Sequence, residues 1–156
     1  MKRKPQISVI GDSNPTLEVL QWAEEVGRLV AENDGILICG GLGGVMAAAA
    51  RGAAEAGGLT IGILPSYDAT TASTSIAVTI ATGLGHARNA VVVASGDAVI
   101  ALPGSYGTLS EVALALTLGK PVISVKAWEN IQGVEATNSP AAAVALALAA
   151  AHRLQQ

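Results

Sequence analysis

Short unbroken runs of apolar residues alternate along this chain with longer segments of helical spacing, a pattern that leaves few folds open. Most of the runs are continuous rather than alternating between polar and apolar residues, which is typical of parallel strands buried on both faces. They predict strands over Ile7–Ile10, Ile36–Cys39, Thr60–Leu64, Ile76–Ile80, Ala98–Leu102 and Val122–Val125. Predicted helices fill the gaps. The first has Asn14 as its N-cap and Pro15 at its first helical position, and it ends near Glu32. The others cover Val45–Ala56, His86–Ser95, Thr108–Leu118 and Pro140–Leu154. With right-handed crossovers, these elements give an α/β fold of three layers around a mainly parallel, doubly wound sheet.

Length and charge narrow the class of protein further. The 156 residues fit a single domain over 1–156, and the net charge of −3 without a basic stripe argues against a nucleic-acid partner. Cys39 is the single cysteine, so no internal disulfide can form, which is typical of a reducing cytoplasm. The N-terminal apolar run is broken by Gly11 and Asp12 and is too short for a signal peptide or a membrane span. We therefore expect a cytoplasmic protein with no membrane association.

The apolar side chains of this sequence are mostly small. Hydrophobic residues make up 51% of the chain but aromatic ones only 3%, so alanine and aliphatic side chains must build the core. Apolar helix surfaces of this kind would face water in a monomer, which predicts a homo-oligomer, a dimer or a tetramer. The last helix is apolar nearly all round; it is either buried within its own domain or shares one face with a partner subunit.

Four glycine-containing turns follow predicted strands, at Gly11–Asn14, Gly40–Gly44, Thr82–Gly85 and Gly104–Thr108. Ligands of doubly wound sheets bind beyond the carboxyl ends of the strands, where backbone N–H groups at a helix start favour anions. The alternative is that these glycines only make tight turns. The sequence thus predicts two anion sites, Gly41–Val45 and Gly104–Thr108, for a small anionic ligand. The candidate binding residues are Gly11, Ser13, Gly41, Leu42, Gly43, Gly44, Val45, Arg88, Asn89, Gly104, Ser105, Tyr106, Gly107, Thr108 and Glu111.

Several interpretations stay open for Glu111, which follows Thr108 by three residues. It can complete a capping box by reaching back to a backbone N–H at the helix start. It can form a purely structural ion pair with Arg88. In a ligand-facing role, Arg88 would bind an anionic group and Glu111 a hydroxyl or ring nitrogen.

Other reactive residues carry weaker signals. His86 is a candidate general acid, although a lone histidine at a helix start is more often a cap or a surface residue. Cys39 is expected to be a small buried apolar residue, and Asp68 to turn the chain; ligand contact is the alternative for each. No group of cysteine, histidine and acidic residues has metal-ligand spacing, so no metal site is predicted.

General nucleotide motifs are incomplete here, because Met46 stands where a dinucleotide fingerprint needs its third glycine and neither turn carries the lysine of a P-loop. In combination, however, GGLGGVM, ARGAAEAGG, IGILP, ARN and ALPGSYGTLSEVALAL with a later GKPV resemble the family often mislabelled lysine decarboxylase-like. The resemblance covers Ile7–Val125 and implies a Rossmann-like fold. That family has two branches: cytokinin-activating phosphoribohydrolases of the Lonely Guy type, and molybdenum cofactor carrier proteins.

The details of the motifs resemble the carrier branch more. The phosphoribohydrolases carry PGGxGTxxE and M-H-x-R-K, whereas this chain has PGSYGTLSE, with Ser105 at the second glycine, and GHARN. The resemblance implies that the molybdenum cofactor is bound as a carried ligand, with molybdoenzymes or cofactor-synthesis proteins as delivery partners. The alternative that it implies is hydrolysis of nucleoside 5′-monophosphates, with Arg88 and Glu111 as catalytic residues. Pyridoxal phosphate chemistry is disfavoured, because Lys120 is expected at the opposite end of the sheet from the glycine turns.

Overall fold

The computed structural model describes residues 3–154. In chain order the elements are β1 (Gln6–Ile10), α1 (Leu17–Glu32), β2 (Ile36–Cys39), α2 (Val45–Glu55), β3 (Thr60–Leu64), β4 (Val78–Ala81), α3 (Arg88–Ser95), β5 (Ala98–Ala101), α4 (Tyr106–Thr117), β6 (Val122–Val125), β7 (Val134–Thr137) and α5 (Pro140–Leu154). Two short 3-10 helices, Ala69–Thr71 and Gly85–Ala87, lie before β4 and α3. The prediction of one domain over 1–156 includes Met1, Lys2, Gln155 and Gln156, which lie outside the described residues.

The strands form one seven-stranded sheet in the order β4-β3-β2-β1-β5-β6-β7. Every neighbouring pair is parallel. The chain runs from β1 outward to β4, then returns to place β5 on the other side of β1 and runs outward to β7. This is the doubly wound arrangement predicted from the alternation of apolar runs and helical segments.

Helices cover both faces of the sheet and produce the expected three layers. On one face α1, α2 and α5 pack against inward residues such as Ile7, Val9 and Ile100, in one continuous hydrophobic cluster. On the other face α3 and α4 pack against Ile10 and Val99. The sheet is therefore buried on both sides over its central strands, which explains their unbroken apolar runs.

Several element starts differ from the sequence-based expectation. Helix α1 begins at Leu17 with Thr16 as N-cap, because the Thr16 hydroxyl accepts from the Val19 N–H, whereas the predicted cap Asn14 donates its own N–H to the Asp12 carboxylate. The helix predicted from His86 begins at Arg88, after a 3-10 turn. The predicted strand Ile76–Ile80 is instead Val78–Ala81.

Strand β7 was not predicted, because it lies within the segment Lys126–Ser139 that reads as a polar loop. Its residues Glu135 and Ala136 are exposed, since β7 is an edge strand with a partner on one side only. Edge strands of this kind lack the continuous apolar run by which buried strands are recognised.

One side of α5 is buried against the sheet through Ala143, Val144, Ala147 and Ala151. Burial within its own domain therefore explains why this side of the helix is apolar, while alanines such as Ala145 are exposed on the other side. No helix within residues 3–154 combines the length and apolar character needed to cross a membrane.

Helices α1 and α2 touch through their backbones at two glycines. A Cβ atom added to Gly27 would lie 1.9 Å from the carbonyl oxygen of Ala49, and one added to Gly52 would lie 1.9 Å from that of Glu24. Both neighbours are backbone atoms and cannot rotate away. The two helices are thus packed at a distance that only glycine allows at these positions.

We expect Gly27→Ala and Gly52→Ala each to lower the free energy of unfolding by about 1–3 kcal/mol or more, because the added methyl forces the helices apart. Gly107→Ala is the matched control: Gly107 is also helical, but nothing lies within 4 Å of an added Cβ. Urea denaturation checks the prediction. Equal midpoints for Gly27→Ala and the control would show that the helices are not in backbone contact.

Candidate functional site

A pocket of about 200 Å³ opens where the carboxyl ends of β1, β2 and β5 meet. This is the point at which the strand order reverses, and ligands of doubly wound sheets bind there. Two backbone hydrogen bonds connect the chain after β1 with the chain after β5, next to the pocket. The Leu102 N–H donates to the Ile10 carbonyl, and the Asp12 N–H donates to the Pro103 carbonyl. The turns after β1 and β5 are therefore joined directly.

Many, but not all, of the predicted binding residues line this pocket. Those that do are Gly11, Ser13, Leu42, Arg88, Asn89, Ser105, Gly107, Thr108 and Glu111. Those that lie outside its lining are Gly41, Gly43, Gly44, Val45, Gly104 and Tyr106. The structure adds Val9, Ile10, Asp12, Gly40 and Met46, which were not among the predicted binding residues, and it places His86, the candidate general acid, in the same lining. Asp12 and Gly40 belong to two of the predicted glycine turns, whereas Met46 appeared only as a misfit to a dinucleotide motif.

The start of α4 provides open backbone donors. The helix begins at Tyr106, two residues before the predicted Thr108, with Ser105 as an N-cap whose side chain makes no capping hydrogen bond. The first N–H groups of a helix have no intrahelical partner and carry part of the positive end of its dipole. Gly107 adds no side chain, and a Cβ there would meet nothing within 4 Å. This helix start can therefore bind an oxyanion.

The start of α2 is engaged differently. The Val45 N–H donates to the Asp12 carbonyl at 2.9 Å, so this amide is used within the protein. Gly44 has φ +63°, and a Cβ on it would lie 2.4 Å from the same carbonyl oxygen. Glycine is needed here to bring the turn after β2 against the turn after β1. At Gly44, tight packing is thus the better explanation than direct ligand contact.

Arg88 is anchored to the ends of two strands. Its Nε donates to the Ile63 carbonyl at 2.9 Å, its Nη2 to the Gly40 carbonyl at 3.3 Å, and its Nη1 to the Asn89 side-chain oxygen. The residue is only 8% exposed, and burial lowers the pKa of the guanidinium from its ordinary value. Arg88 therefore fixes the start of α3 to the ends of β2 and β3, and it also lines the pocket and gives it a positive charge.

Glu111 lies in the second turn of α4, on the same side as Thr108. Of the three interpretations left open for Glu111, the capping box does not apply, because α4 starts at Tyr106 and Glu111 is too far along the helix to cap it. Within residues 3–154 its carboxylate makes no hydrogen bond and no ion pair with Arg88. The side chain lines the pocket and is 7% exposed. Burial raises its pKa from 4.5 to about 7, with the Arg88 charge opposing that rise.

Three other titratable residues discussed above, Cys39, Asp68 and Lys120, do not line the pocket. Cys39 is fully buried, accepts a weak hydrogen bond from the Gly41 N–H, and has a pKa that burial raises to about 11, as fits a small apolar core residue. The Asp68 carboxylate binds the N–H and hydroxyl of Thr70 and turns the chain. The Lys120 ammonium donates to the Ala94 and Gly96 carbonyls, beside the amino end of β5 and away from the glycine turns.

A larger groove of about 670 Å³ runs between α1 and α2. Its charged lining residues are Glu24, Glu25, Arg28, Glu32 and Glu55. Four carboxylates against one guanidinium would repel an anion, so this groove does not suit the ligand that the glycine turns predict. Among residues 3–154, no three cysteine, histidine or acidic side chains are grouped so that they could hold a metal ion.

Comparison with known proteins gives one family match and several close structures. The SLOG cluster4 family matches residues 4–152. The molybdenum cofactor binding protein from the phototrophic bacterium Rippkaea orientalis is 41% identical, with a TM-score of 0.89 over 94% of this chain and 96% of its own. The molybdenum cofactor carrier protein from Chlamydomonas reinhardtii is 34% identical, with a TM-score of 0.87 over 95% and 98%. A cytokinin riboside 5′-monophosphate phosphoribohydrolase from Mycobacterium tuberculosis is 33% identical over 83% of this chain and 75% of its own length.

The buried carboxyl of Glu111 predicts a pH-dependent stability. Its pKa rises from 4.5 to about 7 on folding, so the folded state holds the proton more tightly. This stabilisation is fully present below pH 4.5 and is lost as the pH rises through about 7. A shift of this size corresponds to about 3 kcal/mol.

We therefore expect Glu111→Gln to be more stable than the unsubstituted protein at about pH 8, and the difference to vanish near about pH 4. Glu129→Gln, at an exposed position in the loop after β6, is the matched control and should change little at either pH. Urea denaturation at several pH values measures both. The same pH profile in Glu111→Gln and in the unsubstituted protein would contradict the burial of an ionising carboxyl at this site.

Proposed function

The chain belongs to the SLOG cluster4 family, and on that premise we propose that it is a carrier that binds and protects the molybdenum cofactor. This ligand is a pterin with a phosphate and an oxyanionic metal centre. The observation that carries the proposal is the open start of α4 beside Arg88, in a pocket at the strand-order reversal. The similarity to two cofactor-binding proteins over nearly the full chain supports the same ligand. A cytoplasmic location is part of the proposal.

Each part of the pocket has a distinct task in this proposal. The first N–H groups of α4, around Gly107, bind one anionic group of the cofactor, and Arg88 adds its charge from behind. Ser13, Asn89 and Glu111 bind polar edges of the ligand. Several charge-assisted hydrogen bonds, each worth about 1.5–3 kcal/mol, are enough for micromolar or tighter binding.

The size of the pocket limits how the ligand is held. A volume of about 200 Å³ encloses only part of such a ligand, so one anionic end enters while the remainder lies over the rim. We propose the Gly41–Val45 turn for the other anionic end, through Leu42, which lines the pocket, and Gly43, where an added Cβ meets nothing within 4 Å; the Val45 N–H is bonded to Asp12 and takes no part. Protection then comes from covering the reactive end rather than from any chemical step.

Hydrolysis of nucleoside 5′-monophosphates is the second candidate. A specific observation favours it: Glu111 has a pKa near 7 and lies close to Arg88, which suits proton transfer at neutral pH. In that case Glu111 would activate water and Arg88 would orient it. The similarity to a phosphoribohydrolase supports this candidate over a smaller share of both chains than the carriers match.

We expect cofactor released from a molybdoenzyme to keep its activity longer when this protein is present, because its anionic end is bound and covered. Gly107→Val should remove the protection, since the added side chain occupies the open space at the start of α4, where a Cβ meets nothing within 4 Å. Ala145→Val, an exposed position on α5 away from the pocket, is the matched control and should protect fully. Reconstitution of a cofactor-free molybdoenzyme measures what remains.

Two outcomes would overturn the carrier function. One is cofactor decay at the same rate with and without the protein. The other is release of free base and ribose 5-phosphate from adenosine monophosphate, abolished by Glu111→Ala, which would establish the hydrolase instead. Incubation with that nucleotide and chromatography of the products is the necessary companion assay.

We also propose a homo-oligomer, a dimer or a tetramer, whose interface includes the outward side of α4. That side is exposed and carries no charge; its residues are Tyr106, Ser110, Ala113, Leu114, Thr117 and Leu118. Light scattering should give a mass of at least two chains, and Leu114→Lys should reduce it by placing a charge in the interface. A monomeric mass for the unsubstituted protein would refute this proposal.

A further inference from the structure

Two polar side chains on one side of α4 face the pocket without partners. Thr108 is 3% exposed and Glu111 is 7% exposed, and both line the pocket. Neither side chain makes a hydrogen bond to any other residue in the range 3–154. Their oxygens are not fully enclosed, since Ser124 Oγ alone among the described residues is a fully buried side-chain polar atom without a partner, so both side chains present unpaired polar atoms to the pocket. A buried carboxylate without a donor is costly, and the cost falls when the group takes up a proton.

The charged and titratable groups around Glu111 come from four directions. Arg88 on α3 is the cation, and its three nitrogens already donate to Ile63, Gly40 and Asn89. Cys39 at the end of β2 is a buried thiol whose pKa is raised, so it carries no charge at neutral pH. Asp12 after β1 and His86 before α3 line the same pocket.

The pocket thus has two carboxyl groups, of Asp12 and Glu111, and one buried guanidinium, of Arg88, with which to bind an anionic ligand. A dianion placed at the start of α4 would lie beside an ionised Glu111 and be repelled by it. Neutralising Glu111 removes the repulsion and gives its side chain an O–H donor, whereas the ionised carboxylate can only accept hydrogen bonds.

Resting on the proposed function, we propose that the anionic group of the ligand enters this pocket together with one proton, which Glu111 binds. The proton comes from solvent and forms the O–H bond of a carboxylic acid, which then donates to an oxygen of the anion. Release of the ligand returns that proton to solvent. Loading is therefore favoured by acid and unloading by base.

The direction of the pH dependence follows from the charge of Glu111 in the free protein. Its pKa of about 7 leaves the carboxyl mostly protonated below neutrality, where binding needs no further proton. Above neutrality the carboxyl is ionised, and each unit of pH should weaken binding by up to about tenfold, the slope for uptake of one proton.

Molybdate is the probe, because it stays a dianion from neutral to alkaline pH and contributes no titration of its own. Isothermal titration calorimetry with the full chain, from about pH 6 to about pH 9, gives the affinity at each pH. Repeating the titration in buffers of different ionisation enthalpy counts the protons taken up. Glu111→Gln keeps the shape of the protonated acid without the titration, and His86→Asn removes the imidazole of the same pocket.

We expect the unsubstituted protein to bind molybdate about 10–100-fold more weakly at about pH 9 than at about pH 6, with close to one proton taken up at the alkaline end. Glu111→Gln should bind with one affinity across the range and without proton uptake, and His86→Asn should keep the slope of the unsubstituted protein.

Three results would overturn the inference: an affinity that does not change with pH, a slope that survives in Glu111→Gln, or no molybdate binding by either protein. The cofactor-protection assay separates these from failure of the carrier function. If the protein still protects the cofactor at neutral pH while its molybdate affinity is independent of pH, the carrier function holds and only the proposed proton uptake is refuted.

Discussion

The pairing of β1 with β5 is the contact on which the rest of this structure depends. It runs in register from Ile7 opposite Ala98 to Ile10 opposite Ala101, and two further backbone hydrogen bonds extend it into the turns beyond. β5 lies next to β1 although α1 to α3 separate them in the chain, so the following turns leave the sheet side by side. Ser13 after β1 and Gly107 after β5 thereby line one pocket, and neither turn alone encloses a site.

Two charged side chains that line the pocket at that junction, Arg88 and Glu111, do not form an ion pair with each other. Arg88 would be the natural partner for Glu111, yet its guanidinium is bound to strand-end carbonyls and to Asn89. The arginine thus supports the walls of the pocket, and the glutamate is left mostly buried without an ion-pair partner among the described residues, with its pKa raised. A carboxyl in that state responds to small changes of its surroundings, as the proposed uptake of a proton with the ligand requires.

Much of the fold and part of the site could be predicted from the sequence. Apolar runs without polar alternation identified the central strands, because burial on both faces leaves that mark, whereas β7 was missed because edge position permits Glu135. The turns after β1 and β5 were recognised by their glycines. The roles of residues within the site could not be predicted in the same way. The Val45 N–H donates to the Asp12 carbonyl, and the Arg88 side chain donates to the Ile63 carbonyl. Both contacts depend on how the ends of separate strands lie next to one another, which no local sequence pattern shows.

The close contact of α1 with α2 has a mechanical consequence for the pocket. The two backbones are in contact at Gly27 and Gly52, and the start of α2 is bonded to the turn after β1 through the Val45 N–H and the Asp12 carbonyl. A substitution that separates α1 from α2 would therefore displace one wall of the pocket, although neither Gly27 nor Gly52 lines it.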